Sequence, residues 1–188
     1  MHLGTILRIL GIFITLLSLT LIPPMVVAYI YKDSGGVSFI QSFFITSVLG
    51  SLLWYRYRDS KKELKTRDGF LIVVLFWTVL SSFGALPFYL SASQDIQLVD
   101  AVFESFSGLT TTGATVLTGL DAMPKAILYY RQQLQWIGGM GIIVLAVAVL
   151  PMLGIGGMQL YKAETPGPVK DSKLTPRIAG TAKALWYI

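Results

Sequence analysis

The chain has 188 residues, of which 54% are hydrophobic and 13% charged, with a mean hydropathy of +0.66 and a formal net charge of +5. A water-exposed domain of this length leaves too much surface outside its core to hide so much apolar side chain, so a soluble globular protein is excluded and the missing solvent is lipid. Cysteine is absent and the one histidine is His2, which removes disulfide frameworks, thiolate metal sites and cysteine nucleophiles.

Taken in order, residues 6–30, 37–55 and 70–90 are apolar stretches long enough to span a hydrocarbon core, which needs about 20 residues of helix. The first stretch competes with a signal-peptide reading, with Val26 and Ala28 at the cleavage site. Its apolar run of residues 9–28 exceeds the usual span of roughly 7 to 15, and its basic flank is Arg8 alone, which favours a retained helix. Pro23 and Pro24 are expected to kink or end that helix near its far side. A fourth stretch, residues 128–161, contains one charge, Arg131. At about 1.5 Å per residue it exceeds one bilayer crossing, so it is expected to tilt, break or protrude.

Basic residues orient the chain. With a cytoplasmic N-terminus, the inner segments hold Arg8, then Arg56, Arg58, Lys61, Lys62, Lys65 and Arg67, then Lys162, Lys170, Lys173, Arg177 and Lys183. The outer side keeps Lys32, Lys125 and Arg131 and gathers Asp33, Asp95, Asp100, Glu104 and Asp121, a face that attracts cations. The run at 56–68 and the segment at 162–177 read either as this orientation signal or as docking surfaces for a cytosolic partner or anionic lipid. Arg131 is expected to reach the headgroups or to pair with Asp100, Glu104 or Asp121.

Residues 91–125 do not read as an ordinary loop. Asp100 can cap a short helix over 99–109, with Val102, Phe103, Phe106 and Leu109 forming an apolar face at helical spacing. Such a helix is too short to cross a membrane. It runs into Thr110, Thr111, Thr112, Gly113, Ala114 and Thr115. A half-helix followed by extended backbone is tolerated at membrane depth only where its free carbonyls face a cavity filled by water or ions, so this is a candidate re-entrant pore loop. Rings of backbone carbonyls replace the hydration shell of a potassium ion without a fixed charge that would trap it. Gly113 permits the backbone angles that turn neighbouring carbonyls to one side, and the threonines add hydroxyl oxygens. A short extracellular helix with a threonine-rich turn is the plainer alternative.

Residues 103–115, Phe-Glu-Ser-Phe-Ser-Gly-Leu-Thr-Thr-Thr-Gly-Ala-Thr, resemble the first pore loop of the Trk/Ktr/HKT family of potassium transporters, bacterial Trk-type uptake proteins in particular. Two further blocks carry the resemblance, residues 131–143 (Arg-Gln-Gln-Leu-Gln-Trp-Ile-Gly-Gly-Met-Gly-Ile-Ile) and 154–168, which opens Gly-Ile-Gly-Gly-Met-Gln. The resemblance implies an all-α membrane protein with a pseudo-fourfold, potassium-channel-like architecture, in which helix, pore-loop, helix units surround one permeation path. It sets Gly113 on the family's filter glycine and Thr111, Thr112, Gly113, Ala114 and Thr115 on the ion-contacting strand, with potassium held by the backbone of Thr111, Thr112 and Gly113. Ala114 and Thr115 replace the tyrosine and second glycine of the potassium-channel form, so cation permeation is better founded than strict exclusion of sodium.

On this reading residues 1–68 are two leading transmembrane helices and a basic cytoplasmic loop. Residues 69–161 are the first unit, with its filter at 110–115, and 162–188 are a cytoplasmic linker and the start of a next helix. One unit cannot encircle an ion. The ring is expected from further units on a longer chain or, as the alternative, from four copies of a short one. The resemblance implies potassium as cargo, a bacterial inner-membrane location, a homodimer of full-length chains and a cytosolic nucleotide-binding regulatory ring as partner, with no nucleic acid. The spans hold almost no ionisable residues and Gly154 to Gly157 lack nucleotide-loop spacing, so no enzymatic activity and no other cofactor are expected. The rival functions are a secondary transporter of a small organic substrate with a broken-helix site at 110–115, which requires a span continuing past the break, and a structural membrane subunit. Gly138, Gly139, Gly141, Pro151, Gly154, Gly156 and Gly157 read either as hinges or as close-packing positions.

Overall fold

The computed structural model describes residues 3–60, 66–91 and 96–144, and the chain forms two compact units, 1–136 and 137–188. Every regular element among the described residues is helical: α1 (Leu3–Leu19), α2 (Ile22–Tyr31), α3 (Gly36–Tyr57), α4 (Thr66–Gly84), the single turn α5 (Leu86–Tyr89), α6 (Leu98–Leu109) and α7 (Lys125–Val144), with a single 3-10 turn at Leu120–Ala122 between the last two. In the second unit only the end of α7, residues 137–144, is described. The stretches 145–161 and 162–188, with their glycines, prolines and basic residues, lie outside the described residues, as do Lys61, Lys62, Lys65 and Asp95.

Three segments are long and apolar enough to cross a membrane: Leu3–Tyr31, Gly36–Tyr57 and Asp68–Tyr89. They coincide with the three stretches read from hydropathy. The first is broken where the prolines act. Pro23 and Pro24 sit in the first turn of α2, and neither has an N–H to return to the carbonyl four residues earlier, so α1 stops at Leu19. Ser18 and Thr20 fold their hydroxyls back onto the carbonyls of Thr15 and Leu17 at 2.7 Å each. The Thr20 carbonyl, which Pro24 cannot serve, instead accepts a 2.6 Å hydrogen bond from Gln133 Nε2 of α7. The break in the first span thus becomes an attachment point for the last described helix.

Helices α1 and α3 run antiparallel with very close backbones. Arg8 Nη1 near the start of α1 reaches the Ser60 carbonyl just past the end of α3, at 3.4 Å. A Cβ on Gly11 would lie 2.6 Å from the Trp54 backbone nitrogen, and one on Gly50 would lie 2.7 Å from that of Thr15. In lipid, apolar side chains gain little by leaving one greasy neighbour for another, so helices associate where small residues let backbones touch. Outward-facing Phe44, Val48, Leu52 and Tyr55 of α3 are exposed as that solvent allows. Phe13 of α1 meets Phe76 of α4 edge to face at 4.9 Å, joining the third span to this pair.

At the opposite end of the hairpin, Lys32 closes α2 in the left-handed region (φ 52°), and Asp33 follows. Asp33 Oδ1 accepts from the Gly35 backbone and Oδ2 from the Ala126 backbone, both at 2.9 Å. The second contact satisfies one of the free N–H groups at the start of α7, where a carboxylate also complements the helix dipole.

A Gly11→Val substitution should force α1 from α3 and destabilise the protein by about 1–3 kcal/mol, read as a lower melting temperature of the detergent-purified protein. Gly36→Ala, whose Cβ would meet Ala28 at an ordinary 3.4 Å, should leave it nearly unchanged.

Candidate functional site

Helix α6 is twelve residues long, Leu98–Leu109, too short for a membrane crossing, and starts one residue before the expected 99. Gln97 occupies the cap position in extended geometry with no side-chain cap bond, so Asp100 is not the cap. It lies in the first turn, where its charge faces the positive end of the helix dipole. The buried face of α6 is not its apolar stripe. Ala101, Glu104, Ser105, Ser107, Gly108 and Leu109 are buried, whereas Phe103 is exposed and Val102 and Phe106 are half-buried. Spacing alone locates the apolar stripe, but in a membrane protein the apolar stripe is free to face outward, and the small and polar stripe is the one that packs against protein.

What packs on that stripe is the segment that follows. The chain leaves α6 through Thr110 and reverses at Thr111, which sits in the left-handed region at φ 58°, a costly conformation for a β-branched residue, of order 1–3 kcal/mol. Gly113, at φ 75°, completes the reversal where glycine is at ease. The Thr112 and Gly113 backbone nitrogens donate to the Ser107 carbonyl at 3.0 and 3.3 Å. Ser107 Oγ then donates to the Ala114 carbonyl at 2.6 Å, and one turn further back Glu104 Oε1 accepts from Thr115 Oγ1 at 2.6 Å and from the Val116 backbone at 2.8 Å. Residues 112–116 therefore run back along α6 as an irregular strand. Glu104 and Ser107, three residues apart, hold it from one helical face.

The five residues expected at the ion path are contiguous and exposed, Thr111 at the reversal and Thr112, Gly113, Ala114 and Thr115 in this strand. They differ in what their oxygens do. The Ala114 carbonyl is turned onto Ser107 and the Thr115 hydroxyl onto Glu104, while the carbonyls of Thr111, Thr112 and Gly113 receive none of the hydrogen bonds found among the described residues. Thr110 and Thr112 share a 2.9 Å hydroxyl contact.

Helix α7 closes the back of the strand. Arg131 selects Glu104 from its three possible partners, Nε lying 2.9 Å from Oε2, with 11% of the arginine side chain and 2% of the glutamate side chain exposed. A Cβ on Gly108 would come 2.9 Å from Leu134 Cβ, and one on Gly113 would lie 3.7 Å from Gln135 Nε2. Tyr130, fully buried between Phe39 and Phe88, donates its hydroxyl to the Gly84 carbonyl at 3.0 Å, where α4 gives way to α5. Glu104 and Arg131, which the sequence marks only as an outer carboxylate and one of its possible partners, thus lie directly behind the strand. The available signal was the three-residue spacing of Glu104 and Ser107 on the stripe beside the phenylalanines.

No group of three or more histidine, cysteine, aspartate or glutamate side chains suited to a metal occurs among the described residues. Backbone and hydroxyl oxygens are the groups this strand offers, a set suited to a hard, singly charged cation.

Three segments long and apolar enough to cross a membrane, with a twelve-residue helix and a returning segment set before α7, define an all-helical membrane protein among the described residues. Residues 35–188 match the family described as TrkH, cation transport protein, and the chain belongs to that family. It is 63% identical over all 188 residues to the Trk system potassium uptake protein TrkH of Vibrio parahaemolyticus and, equally, to that of Escherichia coli K12, spanning 39% of the length of each. It is 48% identical over 185 residues to the Trk system potassium uptake protein TrkG of Escherichia coli K12, covering 38% of it. The crystal structure of the potassium transporter TrkH from Vibrio parahaemolyticus superposes with a TM-score of 0.82 at 56% identity, over the whole of this chain and 36% of that one.

A Gly108→Val substitution should push α6 off Leu134 and lower stability by about 1–3 kcal/mol, measured as loss of the folded, monodisperse fraction after detergent extraction.

Proposed function

We propose that this chain supplies one wall of a potassium uptake path, with the backbone of Thr111, Thr112 and Gly113 contacting the ion. The observation that carries this reading is the reversal at Thr111 to Gly113, which leaves three successive carbonyls without a hydrogen bond among the described residues while Ser107 and Glu104 tie down the strand after them. The C-terminal end of α6, with its negative dipole end, abuts these carbonyls and would favour a dehydrated cation there. The names of the similar proteins, all potassium uptake proteins, support the same cargo.

A broken-helix transporter of an organic substrate fits less well. The chain does not resume a helix after the break until Lys125, apart from the single turn Leu120–Ala122. The relatives are more than twice as long as this chain, and on this reading further helix, loop, helix units complete the ring. The inward side would be the end bearing Arg8, Arg56 and Arg58, with the N-terminus cytoplasmic and the protein in a bacterial inner membrane. The full protein would act as a homodimer and take its gating signal from a cytosolic nucleotide-binding ring.

Gly113 and Gly119 provide a matched pair for the test, since both have positive φ (75° and 67°) and a side chain at either carries a similar backbone cost of about 1–2 kcal/mol. In vesicles carrying the full-length protein, Gly113→Ser should reduce potassium uptake or raise sodium leak clearly more than Gly119→Ser, where an added Cβ would meet no atom within 4 Å. Equal effects would remove the filter assignment, and no cation flux through folded wild-type protein would remove the path.

A further inference from the structure

We infer that the buried Glu104–Arg131 pair sets the cation selectivity of this path, acting as a positioning device behind the ion-contacting strand. The inference rests on the proposed potassium path and adds to it two residues that touch no ion.

Residues 112–116 have no regular secondary structure and no partner strand among the described residues, so their shape is defined by what α6 offers them. Of the α6 side chains, Glu104 holds two groups of the strand at once, the Thr115 hydroxyl at 2.6 Å and the Val116 amide at 2.8 Å, both on Oε1. The Thr115 hydroxyl in turn accepts from the Leu117 amide at 3.1 Å, extending the restraint one residue further. Oε2 is given to Arg131 Nε at 2.9 Å. Bonds to a charged acceptor are shorter and stronger than neutral ones, and the near-complete burial of the carboxylate strengthens them further.

The charges matter as a pair. A lone buried carboxylate beside a cation path would itself be a cation site, and a tight one, which would slow conduction. Here both oxygens are occupied and the arginine balances the charge, so the frame is stiff and electrically neutral. Gln135 and Leu134 follow Arg131 on α7 behind Gly113 and Gly108, so the arginine also fixes the distance between α7 and the strand. Sodium is smaller than potassium and is held well only if the surrounding oxygens move inward. A strand pinned at Thr115 and Val116 resists that movement, whereas a loosened one permits it.

The test uses the full-length protein in vesicles, with potassium and sodium uptake measured for wild type, Glu104→Gln, Arg131→Lys and the doubly neutral Glu104→Gln/Arg131→Gln. Glu104→Gln keeps the shape and an oxygen for the strand but removes the charge that shortens those bonds. The potassium-to-sodium ratio should fall by about tenfold, the size expected from weakening a bond to a charged acceptor that distinguishes the two ion-bound states. Potassium flux itself should persist. Arg131→Lys, which keeps the charge, should retain more of the ratio than the double variant. A Glu104→Gln protein that is extracted folded, even with a lowered melting temperature, and shows an unchanged ratio would overturn the inference while leaving the path intact. Wild-type protein without potassium flux would instead overturn the underlying reading. If Glu104→Gln does not fold, the double variant, which buries no unpaired charge, gives the ratio. Failure of both to fold would assign the pair to stability alone and overturn a role in selectivity.

Discussion

A carboxylate buried on the inner face of a twelve-residue helix organises the part of this chain between the third span and α7. Glu104 lies on α6, its Oε1 takes the strand at Thr115 and Val116, and its Oε2 takes Arg131 of α7. Three pieces of backbone, α6, the returning segment and α7, are thus joined at one side chain. In a hydrocarbon surround, where nearly every surface is equally greasy, such polar contacts carry specificity that burial cannot supply. The arrangement is also exacting, because removing one member of a buried pair leaves an uncompensated charge at a cost of about 3–5 kcal/mol.

The same logic recurs through α7. Its first turn takes Asp33, Tyr130 serves the Gly84 carbonyl at the α4–α5 junction, Arg131 serves Glu104, and Gln133 serves the carbonyl that Pro24 leaves free at Thr20. Three of these four contacts reach a place where a helix starts, stops or breaks, which is where unsatisfied backbone groups occur. The leading helices α1–α3 are consequently fastened to the same helix that backs the strand. Gln133, which serves the α1–α2 break, is followed on α7 by Leu134 and Gln135, the residues that lie against Gly108 and Gly113.

Most of the architecture was legible from the residues. Three spans followed from hydropathy, the break near Pro23 and Pro24 from the missing amide hydrogens, and the half-helix and loop from a polar, hydroxyl-rich segment set between spans. The orientation of α6 was not. Val102, Phe103, Phe106 and Leu109 mark a stripe, but of these Leu109 alone is buried, because a sequence pattern gives the period of a helix and not which side meets protein when the other side meets lipid. The partner of Arg131 was likewise open among three carboxylates, and a separation of 27 residues carries no geometric information until the chain is folded.

By itself the sequence determined that this is a membrane protein, where three of its spans lie, and that Thr110 to Thr115 are the unusual segment, since these depend on local composition and on backbone chemistry that travels with each residue. The tertiary structure alone decided that Thr111 and Gly113 reverse the chain, that the Ala114 carbonyl turns to Ser107, and that Glu104 and Arg131 meet behind the strand. Those outcomes depend on which groups are brought within hydrogen-bonding reach, and that distance is fixed only when helices far apart in the chain pack together.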